Sequence, residues 1–432
     1  MHFTVFIYLI RGTNVKPKDF NTLIGQDALK GIRVIDFSWI VAGPQCTRIL
    51  ADFGAEVIKV ENESNMDYIR GSAPVGGSTS PNRSGLFNTL NRNKKSLTLN
   101  VMHPKGMELL KNLISVSDVV IENFSSRVLE KWGLGYEEQK KIKPDIIYCS
   151  MSGFGHSGRD RDNVTWGPTA QALSGLTFMS GLPGEESAGW GFSYMDHTGG
   201  YYGTIAILMA ILHRNRSGNG QHLDLSQVEA GIGLTGTEIL DHTVNGRNFR
   251  RKGMPPGNRS PERQFAPHNS FRCKGNDRWC VISIANEKEW ENLVKAMGNP
   301  TWCSETKFTD MESRYLNQDE LDNKIETWTS QKTPNEVFEV LQKAGVPAGA
   351  VQTPNERVDE DPQLKYRDFL PEIEHPELGP TRVEAIPMKM SSTPWKLKRS
   401  SPLLGEHSAE IYTELLGVSP EELGTLFEEG IA

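Results

Sequence analysis

The sequence contains few cysteines and none of the common metal-binding motifs. Its five cysteines are scattered and odd in number, with no C-x-x-C pair, which excludes a disulfide scaffold and disfavours structural zinc. The ten histidines include no H-E-x-x-H or H-x-H pair. We therefore expect no metal centre, and we expect the cysteines to be small core residues of a cytoplasmic protein.

The sequence also has no long hydrophobic run and no excess of basic residues. The apolar stretch from Phe3 to Ile10 is far shorter than the roughly 20 residues that span a bilayer, and it lacks the flanks of a secretion signal. A net charge of −7 disfavours general binding to nucleic acid or to anionic membranes. We interpret residues 1–29 as an N-terminal extension of unassigned function, and we expect neither nucleic acid nor membrane as a partner.

Nucleotide-binding motifs are absent or incomplete. No G-x-x-x-x-G-K-[ST] sequence is present for a nucleoside triphosphate. Residues 153–158, GFGHSG, have the glycine spacing of a dinucleotide fingerprint, but the following RDRDNVTWGP lacks the apolar spacing of the required helix. We therefore expect no tightly bound cofactor.

Apolar strand candidates alternate with amphipathic helices in the first part of the chain. The segments IRVIDF, AEVIKVE, DVVIEN and PDIIYCSMSG are typical of strands, and Pro44 and Pro104 stand in the first turns of helices. Such crossovers give a parallel sheet with helices on its faces. The sequence predicts an α/β fold with an open, doubly wound, Rossmann-like large domain, in which ligands bind at the carboxyl ends of the strands.

The chain is longer than the roughly 250–300 residues at which a single core stops growing, so two lobes are expected. A stretch rich in Gly, Pro, Asn and Arg precedes a hairpin-and-helix pattern that is typical of a smaller α+β lobe. The predicted division is residues 30–230 as the first part of the large domain, 231–270 as a linker or active-site loop, 271–330 as the small domain, and 331–432 as the return to the large domain.

One carboxylate stands at the start of a strongly apolar helix. From Thr204 to Leu212 the chain is apolar on every side, so this helix is expected to be buried around most of its circumference. Asp196 lies where the helix begins, and there free N–H groups and the helix dipole favour the ionised form. An ionised carboxylate in a buried, glycine-rich approach is a candidate nucleophile; the alternative is a simple N-cap.

Several segments, in the same order and covering nearly everything after residue 30, resemble the class III CoA-transferase family (CaiB/BaiF type). This family contains the formyl-CoA, carnitine and benzylsuccinate CoA-transferases. The segments are GIRVIDFSWIVAGPQCTRILADFGAEVIKVE (31–61), NRNKKSLTLN (91–100), DVVIENF (118–124), the block around Asp196, RSGNGQHLDLS (216–226) and SPLLGEHSAEI (401–411).

The resemblance implies that Asp196 is a covalent nucleophile, because members of the family have an aspartate at this point of the alignment. Such a carboxylate attacks an acyl-CoA thioester to give an anhydride, and later carries CoA as an aspartyl thioester. Each step passes through an oxyanion, so backbone N–H donors are expected near Asp196. Gly199, Gly200 and Ala42 are the candidates, and for the glycines the alternative is close helix packing.

The resemblance also implies a CoA-binding region, with the CoA thioester as a substrate. CoA carries a 3′-phosphate and a pyrophosphate, so a net-acidic protein requires a local basic cluster. For the lysines the alternative is ordinary solvated surface charge. The implied residues are Ile40, Ala42, Arg70, Lys94, Lys95, Asn123, Phe124 and Lys131.

The family also includes α-methylacyl-CoA racemases, which use a His-Asp pair just before an alanine-leucine-serine-glycine segment. Here the aligned pair is Trp166-Gly167, and neither residue accepts a proton at neutral pH. Aromatic residues around Asp196 favour a hydrophobic or aromatic acceptor acid such as an arylsuccinate, with succinyl-CoA as donor; their alternative role is in the core or at a dimer interface. These residues are Trp166, Trp190, Phe192, Tyr194, Tyr201 and Tyr202.

The predicted function is therefore CoA transfer from an acyl-CoA donor to an organic acid. Two alternatives remain: an isomerase that transfers CoA within one molecule, and a non-catalytic subunit of a heteromeric CoA-transferase. By resemblance the chain is expected to form an interlocked homodimer or to pair with a homologous subunit.

Overall fold

The structure is a computed structural model that describes residues 27–72, 74–261 and 263–432. The predicted extension at residues 1–29 lies outside these ranges except for its last three residues. Within the described ranges, no helix combines the length and apolar character needed to cross a membrane.

The large lobe is built on a six-stranded parallel sheet. Its strand order, β3-β2-β1-β4-β5-β6, is that of a doubly wound fold, with successive strands running outward from β1 on one side and from β4 on the other. The predicted strands are thus confirmed, and every pairing in this sheet is parallel. The strands are β1 (Arg33–Asp36), β2 (Glu56–Glu61), β3 (Lys95–Thr98), β4 (Val119–Glu122), β5 (Ile147–Ser152) and β6 (His222–Ser226).

Helices connect the strands and also form most of the smaller lobe. In the first half of the chain they are α1 (Ala42–Asp52), α2 (Gly85–Leu90), α3 (Pro104–Ser115), α4 (Val128–Lys131), α5 (Tyr136–Ile142), α6 (Gly167–Leu173), α7 (Leu176–Met179) and α8 (Tyr194–Ser217). They continue as α9 (Gln227–Gly233), α10 (Gly236–Asn245), α11 (Glu287–Ala296), α12 (Met311–Leu316), α13 (Gln318–Thr329), α14 (Pro334–Lys343), α15 (Pro362–Tyr366), α16 (Ser408–Glu410) and α17 (Pro420–Glu428).

Both faces of the sheet are covered by other parts of the chain. Successive strand residues point to opposite faces, so neighbouring residues pack in different cores. On one face Ile35 packs in a core that includes residues of α3 and the C-terminal residues Tyr412 and Leu426. On the other face Val34 packs in a core that includes residues of α1 and α8. The residues around Tyr412 and Leu426, near the end of the chain, therefore pack with the large lobe.

The smaller lobe extends beyond its predicted boundary at residue 330. Its antiparallel sheet joins β7 (His268–Arg272), β8 (Trp279–Ser283) and β9 (Ala348–Ala350). Val337 and Leu341 of α14 pack in the same core as the residues of α11 and α13. The stretch predicted as a linker contains α10. A separate hairpin, β10 (Glu372–His375) with β11 (Gly379–Arg382), lies in the C-terminal part.

Within a single chain, helix α8 is buried on only one side, which differs from the prediction. Gly200 and Gly203 face α1 and β5 so closely that a Cβ at either position would lie within 2.8 Å of a neighbouring atom. The opposite face exposes an apolar stripe formed by Tyr201, Ile205, Leu208, Met209 and Leu212. The helix is apolar all round, but this chain covers only half of it.

Glu122, the last residue of β4, is a carboxyl group enclosed in the core. Its Oε1 accepts a hydrogen bond of 2.9 Å from the Tyr148 hydroxyl, and its Oε2 accepts one of 2.7 Å from the Phe124 amide. Burial raises the pKa of Glu122 from its ordinary value of 4.5 to about 8. The folded protein therefore holds a proton on Glu122 at a pH where the unfolded chain releases it.

We expect the substitution Glu122→Gln to stabilise the protein increasingly as pH rises. Between about pH 4.5 and 8 the unfolded chain loses this proton and the folded chain keeps it, so the wild-type free energy of unfolding falls by about 1.4 kcal/mol per pH unit. The amide variant has no such loss. Chemical denaturation at several pH values measures the difference, with Glu137→Gln on exposed α5 as control. A stability difference that does not change with pH would contradict the assignment.

Candidate active site

A crevice opens where the strand order reverses, between the carboxyl ends of β1 and β4. Ligands of doubly wound sheets bind at this point. The crevice has a volume of about 220 Å³. Its walls are Trp39, Ile40, Val41, Ala42, Asn123, Phe124, Ser125, Met151, Ser152, Gly153, Asn163, Val164, Thr165, Trp166, Asp196 and Gln227.

Hydrogen bonds hold together the two loops that form the crevice. The side-chain oxygen of Asn123 accepts from the Trp39 amide at 2.7 Å, and its side-chain nitrogen donates to the Trp39 carbonyl at 2.8 Å. Ile40 has a φ of +67°, a left-handed conformation that is strained for a β-branched residue. Its amide donates to Asp67 at 3.0 Å, and this contact stabilises the strained turn.

Fully buried ion pairs lie beneath this loop. The Lys59 ammonium is 3.0 Å from the Asp67 carboxylate and donates to the Ser38 carbonyl at 2.6 Å. Lys94 is 3.0 Å from the Asp36 carboxylate, which also accepts from the Ser38 amide at 2.9 Å. Burial acts to raise the pKa of Asp36, but Lys94 and Lys59 outweigh it and hold that pKa below its ordinary value. The charges of Lys59 and Lys94 are therefore engaged in ion pairs that hold the loop after β1 in place.

Asp196 lies in the first turn of α8, on the wall of the crevice, and is 9% exposed. Its Oδ1 accepts a hydrogen bond of 3.0 Å from Nε2 of Gln227. Burial raises the pKa of Asp196, while hydrogen bonds from Gln227 and from the Gly167 amide act in the opposite direction. The helix N-terminus was expected to favour the ionised form of Asp196, but burial has the larger effect and raises its pKa.

Gly167 and Gln227 come from different elements and meet at this carboxylate. Gly167 is the first residue of α6, and a Cβ there would lie 2.5 Å from Oδ2 of Asp196. Only glycine therefore allows the carboxylate to rest against this main chain. Gln227 is the first residue of α9, directly after β6. Sequence reasoning noted Gly167 only as a missing racemase residue and did not identify Gln227.

The three predicted oxyanion donors lie in two different settings. Gly199 and Gly200 are inside α8, beyond its first turn, where amides bond to carbonyls of the same helix. A Cβ at Gly200 would lie 2.8 Å from the Ala42 carbonyl oxygen, so close packing of helices, the alternative left open by the sequence, accounts for this glycine. Ala42 begins α1 on the crevice wall, and the first amides of a helix have no partner within the helix.

The residues predicted to bind CoA divide into two groups. Ile40, Ala42, Asn123 and Phe124 line the crevice. The four cations do not line it. Arg70 is buried and donates to Glu61 at 2.7 and 2.8 Å, and Lys94 pairs with Asp36. Lys95 pairs with Glu56 and Glu410, and Lys131, the last residue of α4, is exposed. Contact between these cations and CoA phosphates stays a prediction, while three of the four already have a carboxylate partner.

Of the six aromatic residues predicted to surround Asp196, only Trp166 lines the crevice. All six are exposed on the surface of the chain. Trp39, which sequence reasoning did not select, and Phe124, which it selected only as a CoA contact, form an edge-to-face pair in the crevice wall with ring centroids 5.4 Å apart. The apolar character of the site therefore comes from the loops after β1 and β4 and from Trp166.

Comparison with known proteins gives consistent results over nearly the whole chain. The family model described as CoA-transferase family III matches residues 29–408. Succinyl-CoA–D-citramalate CoA-transferase of Chloroflexus aurantiacus is 33% identical, over 92% of this chain and 96% of that protein. The β subunit of succinyl-CoA–L-malate CoA-transferase of the same organism is also 33% identical, over 92% and 96% of the two chains.

A solved structure agrees with the sequence comparisons. The crystal structure of a CaiB/BaiF family protein from Brucella suis is similar with a TM-score of 0.81 and 31% identity, and it covers 90% of this chain and 100% of that one. The crevice at the strand reversal therefore belongs to a fold shared with enzymes that act on CoA thioesters. The chain belongs to CoA-transferase family III.

Proposed function

We propose that this protein transfers CoA from succinyl-CoA to a succinate-like dicarboxylic acid through covalent intermediates on Asp196. The observation that carries this proposal is the position of the Asp196 carboxylate. It is buried in the crevice at the strand reversal, beside the N-terminus of α1. The donor is inferred from the two relatives, both of which are named as succinyl-CoA enzymes.

The cycle begins when a carboxylate oxygen of Asp196 attacks the thioester carbonyl. A mixed anhydride forms, and CoA leaves as the thiolate. The thiolate then attacks Cγ of Asp196, releases the donor acid as a carboxylate and leaves an aspartyl-CoA thioester. The acceptor carboxylate attacks that thioester, and the thiolate finally attacks the acceptor acyl group, which frees Asp196. No step requires a net proton transfer.

The N-terminus of α1 supports the steps at the substrate carbonyl. Each attack on this carbonyl places negative charge on its oxygen, and fixed N–H donors stabilise such charge. The amide of Ala42 is at the N-terminal end of α1, and Ala42 lines the same crevice as Asp196, so this amide is our candidate donor. The crevice residues Ile40, Asn123 and Phe124 are our candidates for contact with the CoA thioester arm.

Substitution of the nucleophile tests the covalent mechanism. We expect Asp196→Asn to lower CoA transfer by on the order of 10⁴-fold or more, because an amide cannot form the anhydride. In the wild-type protein incubated with succinyl-CoA and hydroxylamine, mass spectrometry should find a hydroxamate on the Asp196 peptide. Asp160→Asn, which alters a partly exposed aspartate outside the crevice, is the control. Wild-type Asp196 that remains unmodified under these conditions would count against the mechanism.

The acceptor is proposed from the relatives and from the apolar wall of Trp39, Phe124 and Trp166. We expect malate, citramalate and arylsuccinates to accept CoA, and butyrate, which lacks the second carboxylate, to accept it poorly. Product formation by liquid chromatography measures the ranking. Turnover of one acyl-CoA without any acceptor would instead indicate the isomerase alternative, and a chain with no activity in isolation would indicate a subunit that requires a partner.

We also propose a homodimer that covers the apolar stripe on α8. The stripe consists of Tyr201, Ile205, Leu208, Met209 and Leu212, and contiguous exposed apolar surface of this kind marks sites of protein–protein contact. Light scattering should give twice the mass of one chain. The double variant Ile205→Glu and Met209→Glu should give monomers, whereas Leu316→Glu, at an exposed site on α12, should not. A monomeric wild-type protein would contradict the homodimer.

The proposed location is the cytoplasm. All five cysteines are buried and none forms a disulfide. This arrangement supports a reducing compartment, in which cysteines serve as small core residues.

A further inference from the structure

Gln227 contacts the reacting group of the proposed mechanism directly. Its Nε2 donates to Oδ1 of Asp196 at 3.0 Å, and the side chain is 6% exposed. The other carboxylate oxygen, Oδ2, lies against Gly167, where the absence of a side chain leaves room. The two oxygens therefore differ: Oδ1 accepts from a buried side-chain amide, and Oδ2 is the oxygen nearest to the main chain at Gly167.

The position of Gln227 is fixed by its backbone. It follows Ser226, whose hydroxyl accepts from the Glu229 amide at 3.2 Å and donates to the Gly153 carbonyl at 3.0 Å. The next amide, of Val228, donates to the same carbonyl at 2.9 Å. Gly199 of α8 leaves space for the side chain, because a Cβ there would lie 3.1 Å from Cγ of Gln227. The amide is thus preorganised toward Asp196.

An aspartyl nucleophile in a CoA-transferase becomes an electrophile in the middle of the cycle. When the thiolate attacks Cγ, a C–S bond forms and the carbonyl π electrons move onto Oδ1. When the tetrahedral species collapses, the bond from Cγ to the bridging oxygen breaks and the donor carboxylate leaves. The attack by the acceptor carboxylate on the thioester repeats this charge development on Oδ1. These steps need an oxyanion donor that is separate from the one at the substrate carbonyl.

We infer that Gln227 is a catalytic residue that stabilises the oxyanion on Oδ1 of Asp196, while Oδ2 is the attacking oxygen. This inference rests on the proposed function and assigns a donor to the half of the cycle that takes place on the enzyme's own carbonyl. A residue that only orients Asp196 affects both halves equally, whereas an Oδ1 donor acts mainly on the steps at Cγ.

Rapid-quench experiments with succinyl-CoA separate the two halves. Release of free CoA in the first turnover reports formation of the anhydride, and intact-protein mass spectrometry reports the later aspartyl-CoA thioester. We expect Gln227→Met, which keeps the length of the side chain but has no donor, to release CoA at nearly the wild-type rate when both proteins are compared at a pH high enough that Asp196 is ionised in each. The aspartyl-CoA adduct should then form about 10²- to 10³-fold more slowly, as found when one oxyanion donor is removed.

Two further variants make the result decisive. Gln227→Leu also removes the donor without adding a charge and should show the same selective loss, so it decides the matter if the methionine variant does not fold. Glu229→Gln, an exposed site on the same helix, should behave like the wild type. Equal slowing of both steps, or no slowing of adduct formation, would overturn the role of Gln227. A wild-type protein that forms no adduct on Asp196 would overturn the proposed function itself.

Discussion

The buried ion pairs under the carboxyl end of β1 determine the shape of the crevice. Lys59 joins the Ser38 carbonyl to Asp67, and Asp67 in turn accepts the amide of Ile40. Removing one partner of such a pair leaves an uncompensated charge in the interior, at a cost of about 3–5 kcal/mol. The pairing therefore compensates for the left-handed backbone at Ile40, which turns the chain from β1 into α1. The N-terminus of α1 reaches the crevice because this turn is held.

The same network explains why charged residues were difficult to assign from the sequence. Lys94 follows a polar segment and precedes a strand, which is equally typical of a phosphate ligand and of a buried cation. Its partner, Asp36, is 58 positions away, and no local pattern connects the two residues. Arg70 bonds Glu61 across nine positions through an irregular loop. Such ion-pair partners can be identified only from the folded structure, which brings distant parts of the chain together.

The fold itself was largely predictable, because it depends on local periodicity. Apolar runs and prolines in first turns predicted strands and helices of the large lobe, and the crossover rule then predicted a parallel sheet. In the smaller lobe, α14 begins with a capping box, in which the Thr333 hydroxyl accepts from the Glu336 amide. Its amphipathic face did not reveal which core it joins, because an apolar stripe does not specify a partner. The predicted boundary at residue 330 therefore assigned α14 to the large domain, whereas its buried residues pack in the core of the smaller lobe.

The site was predictable only in part, because it combines residues that are far apart in the chain. Resemblance identified Asp196, but Gly167 and Gln227 meet it from α6 and α9. Burial raises the pKa of this carboxylate and so strengthens it as a nucleophile, while hydrogen bonds from Gln227 and Gly167 act in the opposite direction. A fully hydrated aspartate reacts poorly, and donors stabilise the negative charge of a buried one. The strand reversal satisfies both requirements, because it buries the carboxylate in a crevice and brings main-chain and side-chain amides to it.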